Sequence, residues 1–154
     1  RQWLPRFRTQ RRIPDGWSGA AGSARGRDML FELPSSKPIE EIERGLQEAA
    51  ARHKFGILCT HDLKQKLVEK GVEFGGEARV YEVCNPQQAK RVLEANGALS
   101  AVLPCRISVY RAGDGYRIAT LLPTELIKPF NAPALAPVAR EVEETLVAMI
   151  RETA

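Results

Sequence analysis

The 154-residue sequence predicts an α+β domain: a single antiparallel or mixed sheet, two layers deep, with helices packed on one face. Three observations carry that reading. Strand-like segments alternate with segments whose apolar residues recur at helical spacing. Two strands, 101–110 and 116–122, follow one another across a short connection containing Asp114-Gly115, which is a hairpin signal. Cap and turn residues stand where the periodicity changes.

The first strand is read over Met29-Leu30-Phe31-Glu32-Leu33 and ends at Pro34. Ser36 is the expected cap of a helix over 37–53, with Pro38 in its first turn. Ile39, Ile42, Leu46, Ala49 and Ala50 form its apolar stripe. Residues 55–60 read as a short buried strand. Asp62 or Thr60 then caps a second helix that turns Leu63, Leu67 and Val68 inward and stops at Gly71. Residues 78–84 form a strand, and Asn85-Pro86 opens a helix as cap and first-turn proline. Ala89, Val92 and Leu93 give that helix its core face, and Asn96-Gly97 ends it. After the hairpin, 123–137 is a proline-bearing loop with a helical turn. A last helix over 138–152 buries Val138, Val142, Leu146, Met149 and Ile150.

Length and composition, with 44% hydrophobic and 27% charged residues, fit one domain over 29–154 that needs no staples. The charge is uneven. Residues 1–28 hold seven arginines against Asp15 and Asp28, a net +5, so the rest of this +4 chain carries −1. This arginine-rich arm, with Trp3, Phe7 and Trp17 among small residues, reads as extended or partly ordered. It either packs on its own domain or on a second subunit, or it grips a partner such as an acidic membrane surface or nucleic acid. Nucleic acid is not the expected partner, because the body offers no basic stripe. No apolar run approaches the ~20 residues of a membrane span, so no transmembrane segment is expected. Three cysteines without framework spacing favour the cytoplasm, with the periplasm as the alternative if Arg1 is a processed terminus.

Cys84-Asn85-Pro86 and Leu103-Pro104-Cys105 each set a thiol beside a proline near a strand end. Taken with Phe55-Gly56-Ile57-Leu58, Asp62-Leu63, residues 80–86 and residues 103–110, they resemble a bacterial and archaeal family catalogued as domain of unknown function 302. The resemblance covers about residues 29–152. It implies a small α+β domain that commonly pairs as a homodimer, and it implies no activity. The arm and Cys59 depart from the family pattern.

The chemistry is less specific. Cys84 stands ahead of a helix N-terminus, where the dipole and unpaired amides favour a thiolate, and Cys105 lies beside Arg106. Cys84 as reactive thiol and Cys105 as its resolving partner would make a thiol-redox pair, with Glu82 as a nearby proton acceptor and Asn85 at the pocket edge. The other reading makes both cysteines small buried apolar residues. Cys59 and His61, two apart on a strand, share a face and are candidate metal ligands, although their spacing matches no structural zinc pattern. A b-type haem needs only one or two axial ligands. His61 or His53 are the candidates for it, with Met29 or Met149 as the sixth ligand. Two histidines provide no Ser-His-Asp or Cys-His-Asn arrangement, and the glycines form no phosphate-binding loop. The sequence therefore favours a non-enzymatic, dimeric protein that binds a small ligand or a metal-centred cofactor. A thiol-redox protein and an arm-driven interaction module stand as alternatives.

Overall fold

Side-chain alternation along five strands decides which face of the sheet is buried. The computed structural model describes residues 29–154. The arm expected over 1–28 lies outside the described residues. The strands are β1 (Leu30–Ser35), β2 (Gly56–Asp62), β3 (Ala78–Cys84), β4 (Cys105–Ala112) and β5 (Gly115–Leu121). They form one sheet in the order β1-β5-β4-β3-β2, and every neighbouring pair is antiparallel. The predicted fold class holds, in its antiparallel form.

The helices are α1 (Ile39–Arg52), α2 (Leu63–Glu69), α3 (Pro86–Ala95), α4 (Pro123–Leu126) and α5 (Ala136–Thr153), with short 3-10 turns at Gly97–Val102, Lys128–Phe130 and Pro133–Leu135. Tyr81, Val83, Ile107, Val109 and Ile118 project from one sheet face and are buried against Ile42 and Leu46 of α1 and Leu146, Met149 and Ile150 of α5. Each such side chain contributes on the order of 1.5–3 kcal/mol by leaving water. A second cluster around Leu99, Leu135 and Val138 lies beside the first, and Val142 of α5 packs against both. Among the described residues no helix is long and apolar enough to cross a membrane.

Several local expectations need correction. Pro34 lies inside β1, which is tolerated because β1 is an edge strand and Pro34 interrupts no interior ladder. Ser36 does not cap α1; the Pro38 carbonyl accepts from the Glu41 and Ile42 amides instead. β2 is not a buried strand but the far edge of the sheet, with a register shift between Ile57 and Cys59 and with Leu58 61% exposed. Asp62 does cap α2, accepting from Gln65 N at 2.9 Å, yet α2 buries none of its residues. Leu63 and Val68 are exposed, since α2 buries none of its residues, and Leu93 of α3 is likewise exposed.

Residues 101–104 do not belong to β4; the chain there closes a 3-10 turn capped by Asn96. The β4–β5 connection tightens to two residues, Gly113 and Asp114, with Gly113 at φ +59°. Gly115 must stay glycine, since a Cβ there would stand 2.6 Å from the Ser35 carbonyl oxygen. The final helix starts two residues earlier than expected and takes Pro137 into its first turn.

Leu146 is fully buried where α5 meets the sheet. Leu146→Ala is therefore expected to lower stability by about 3 kcal/mol, measured by urea unfolding with an unchanged m-value.

Candidate functional site

The two cysteine–proline motifs arrive at one place. β3 ends at Cys84, Asn85 caps α3, and β4 begins at Cys105, one residue after Pro104. Val83 and Cys105 are register partners across β3 and β4, which brings the two thiol-bearing residues to neighbouring positions. Between this corner, α3, the 3-10 turn and α5 lies a cavity of about 60 Å³, lined almost wholly by apolar groups. Cys84, Cys105, Gln88, Ala89, Val92 and Val102 contribute to its wall.

Asn85 and Gln88 are the polar residues of this wall. Gln88 Oε1 is buried and has no hydrogen-bond partner. Its amide orientation follows from the other end of the group: Nε2 faces Glu141 Oε2 at 3.4 Å, and a carboxylate oxygen can only accept. A buried acceptor without a donor carries a desolvation cost of about 1–3 kcal/mol, which a ligand hydroxyl or amine would remove.

Burial favours the protonated form of both thiols at this corner. Burial pushes the Cys84 thiol up from its ordinary value. The amides expected to favour a thiolate are already taken: Asn85 Oδ1 accepts from the Gln87 and Gln88 amides, both at 3.1 Å. Burial, and secondarily the neighbouring Cys84, raises Cys105 to about 11. Arg106 does not offset this, because its exposed guanidinium turns to Glu82 Oε1 at 3.7 Å. All three cysteines are free.

On the face of the sheet opposite the helices stands a second group. Cys59, Glu82 and Arg106 occupy one cross-strand row of β2, β3 and β4. A donor atom from each of Cys59, His61 and Glu82 lies within 4.8 Å of the others. His61 Nε2 is 3.2 Å from Glu82 Oε1, and Lys66 Nζ is 2.9 Å from His61 Nδ1. A lysine can only donate, so Nδ1 accepts and the imidazole proton resides on Nε2, pointing at Glu82. Glu82 thus serves His61 and not Cys84.

The profile of the family described as Domain of unknown function DUF302 matches residues 31–153. This chain belongs to the DUF302 family. Its fold is similar to the crystal structure of an uncharacterized conserved DUF302 protein from Bacillus stearothermophilus, with TM-score 0.78 and 32% identity. That likeness covers 82% of this chain and 98% of the other. No curated protein matches.

The axial-ligand candidates have other surroundings in this fold. Met149 is fully buried in the main core. His53 caps the C-terminus of α1, and its Nε2 is 2.9 Å from Glu152 Oε1. Met29 precedes β1 at one sheet edge, whereas His61 lies on β2 at the other. Sequence reading overlooked Gln88 and Lys66. Gln88 carries one weak signal, a position in the first turn after the Asn85 cap, whereas Lys66 meets His61 only through the geometry of the turn at Asp62.

Thiol chemistry should follow these surroundings. With a maleimide under native conditions, exposed Cys59 is expected to react first, Cys84 slowly, and Cys105 only once the fold opens. Because the native Cys105 thiol keeps its proton to about pH 11 and an ordinary thiol loses it near 9.0, the native state binds the extra proton in that window. The stability it contributes is complete below the lower value and is lost as pH rises through the upper one. Unfolding midpoints measured from pH 8 to about 11 should fall less steeply in Cys105→Ala than in the wild type.

Proposed function

We propose that this DUF302 domain is a non-enzymatic binding protein whose ligand is a small apolar molecule carrying one hydrogen-bond donor. The observation that supports this most is a largely apolar cavity at the junction of the two cysteine–proline motifs, with Gln88, whose buried Oε1 has no hydrogen-bond partner, as one of its wall residues. At about 60 Å³ the cavity is smaller than the about 150 Å³ apolar cavity that takes up benzene, so the buried part of the ligand has only a few heavy atoms. Short alcohols or amines fit that description, as does the terminus of a longer chain. Both thiols contribute polarizable apolar wall in this reading. The thiol-redox alternative is less favoured, since burial keeps both thiols protonated. A haem drawing two ligands from the histidines and methionines is also less favoured, because Met149 is fully buried in the core and both His53 and His61 already hold glutamates.

Methyl NMR during titration with propanol provides the test. Val92 and Val102 resonances are expected to shift and saturate. Ala89→Leu, which fills the cavity, should abolish the response. Gln88→Leu should erase the preference for propanol over chloropropane, which has no donor. Unmoved methyl resonances at saturating propanol would sink the reading.

The same proposal includes a second copy of the chain as partner. Leu30 and Leu121, paired in register on β1 and β5, are 39% and 47% exposed on the sheet face without helices. Leu121→Glu is expected to convert a dimer to a monomer in sedimentation equilibrium, and a monomeric wild type would exclude the pairing.

A further inference from the structure

The group on the open sheet face is independent of the apolar cavity and has its own chemistry. We propose that Cys59, His61 and Glu82 bind a thiophilic divalent cation of the zinc class, and that Lys66 restrains the affinity of this site. The set offers one sulfur, one imidazole nitrogen and one carboxylate oxygen, all within 4.8 Å of one another. A tetrahedral zinc site sets such donor atoms roughly 3.3–3.6 Å apart. The His61–Glu82 separation of 3.2 Å is already close to that, so only the sulfur has to close in, by no more than about 1.5 Å. Cys59 is exposed beside the β2 irregularity, where its side chain has room to turn.

Thiolate and imidazole select borderline and soft cations over magnesium or calcium. Three protein donors leave a fourth position for water or an exogenous ligand, unlike a closed structural site. The separation in sequence explains why spacing alone pointed to Cys59 and His61 as ligands and not to Glu82, which comes from the neighbouring strand by register with Cys59.

Binding has a definite proton balance. Cys59 loses its thiol proton to solvent, forming the S–metal bond. The His61 proton moves from Nε2 to Nδ1, which frees the Nε2 lone pair for the metal. One proton is released per cation. That tautomer change places an N–H against Lys66 Nζ, the donor that now holds Nδ1 at 2.9 Å. Metal-bound histidines ordinarily give their second N–H to an acceptor, and here the partner is a cation. Lys66 therefore has to swing away, and its charge opposes the incoming dication. Arg106, at 3.7 Å from Glu82 Oε1, adds a weaker opposition of the same sign.

Cobalt(II) is the probe, since a thiolate ligand produces a near-ultraviolet charge-transfer band. The wild-type chain is expected to take up one equivalent with that band, displaced by Zn²⁺ and not by Mg²⁺. Cys59→Ser should abolish the band, while the Cys84→Ala/Cys105→Ala double variant should retain it if its circular dichroism is native. His61→Gln and Glu82→Gln should each weaken Zn²⁺ binding by at least about 10-fold, and Lys66→Ala should tighten it by about 10-fold. The variants at 59, 61, 66 and 82 change no residue of the main core, and each is compared with the wild type by circular dichroism before titration. Absence of the band, its survival in Cys59→Ser, or Zn²⁺ affinity unchanged in both His61→Gln and Glu82→Gln would overturn the site. Affinity unchanged or weakened in Lys66→Ala would overturn the restraint.

Discussion

Burial of one sheet face beneath α1 and α5 is the constraint on which the rest of this molecule depends. Tyr81, Val83, Ile107, Val109 and Ile118 can leave water only together, against Leu46, Leu146, Met149 and Ile150. Because strand side chains alternate with period two, that choice also assigns every intervening residue to the opposite face. Glu82 and Arg106 are on the open face because Tyr81, Val83 and Ile107 are not. A slip of one residue in β3 would exchange the two sets and turn the Glu82 carboxylate into the core. The phenol of Tyr81 shows how closely the packed face is specified. It is fully buried, yet its hydroxyl donates to Glu43 Oε2 at 2.9 Å, and Arg79 holds the same carboxylate oxygen at 2.9 Å. Burial and Glu43 push that phenol well above its ordinary pKa.

Two chemistries result, separated by the thickness of one sheet. On the helix side, the corner between β3, β4 and α3 is closed over by α4 and α5, leaving a largely apolar cavity with Gln88 in its wall. On the open side, polar groups from three adjacent strands meet where water reaches them. Burial explains the contrast in thiol character: Cys105 and Cys84 are raised, while Cys59 stands exposed. The same residue type serves as wall in one place and as a candidate ligand in the other.

Much of the architecture was legible because it rests on local rules. Asn85-Pro86 and Asp62 start helices by hydrogen bonds reaching only two or three residues along the chain. The stripes of α1 and α5 are read from spacing alone, as is the 78–84 strand. The failures came where a neighbour decided the outcome. Apolar residues 55–60 look buried, and only the strand order reveals β2 as an edge. Leu63 and Val68 have the composition of a core face, but nothing packs over α2. Pro34 looks like a stop until β1 is seen to have a free side.

The sequence by itself determined the fold class, the helix starts at Asp62 and Asn85, the two cysteine–proline corners and the membership that those corners signal, because these rest on local patterns of residue type and spacing. Tertiary structure alone decided that Cys84 and Cys105 share one cavity, that Glu82 turns to His61 rather than to a nearby thiol, and that Met149 is core. It also decided the protonation of the thiols, since a pKa follows from burial and from which donors are already taken. Those quantities are set by strand register and layer packing, which join residues about twenty or more positions apart, and no local pattern carries that information.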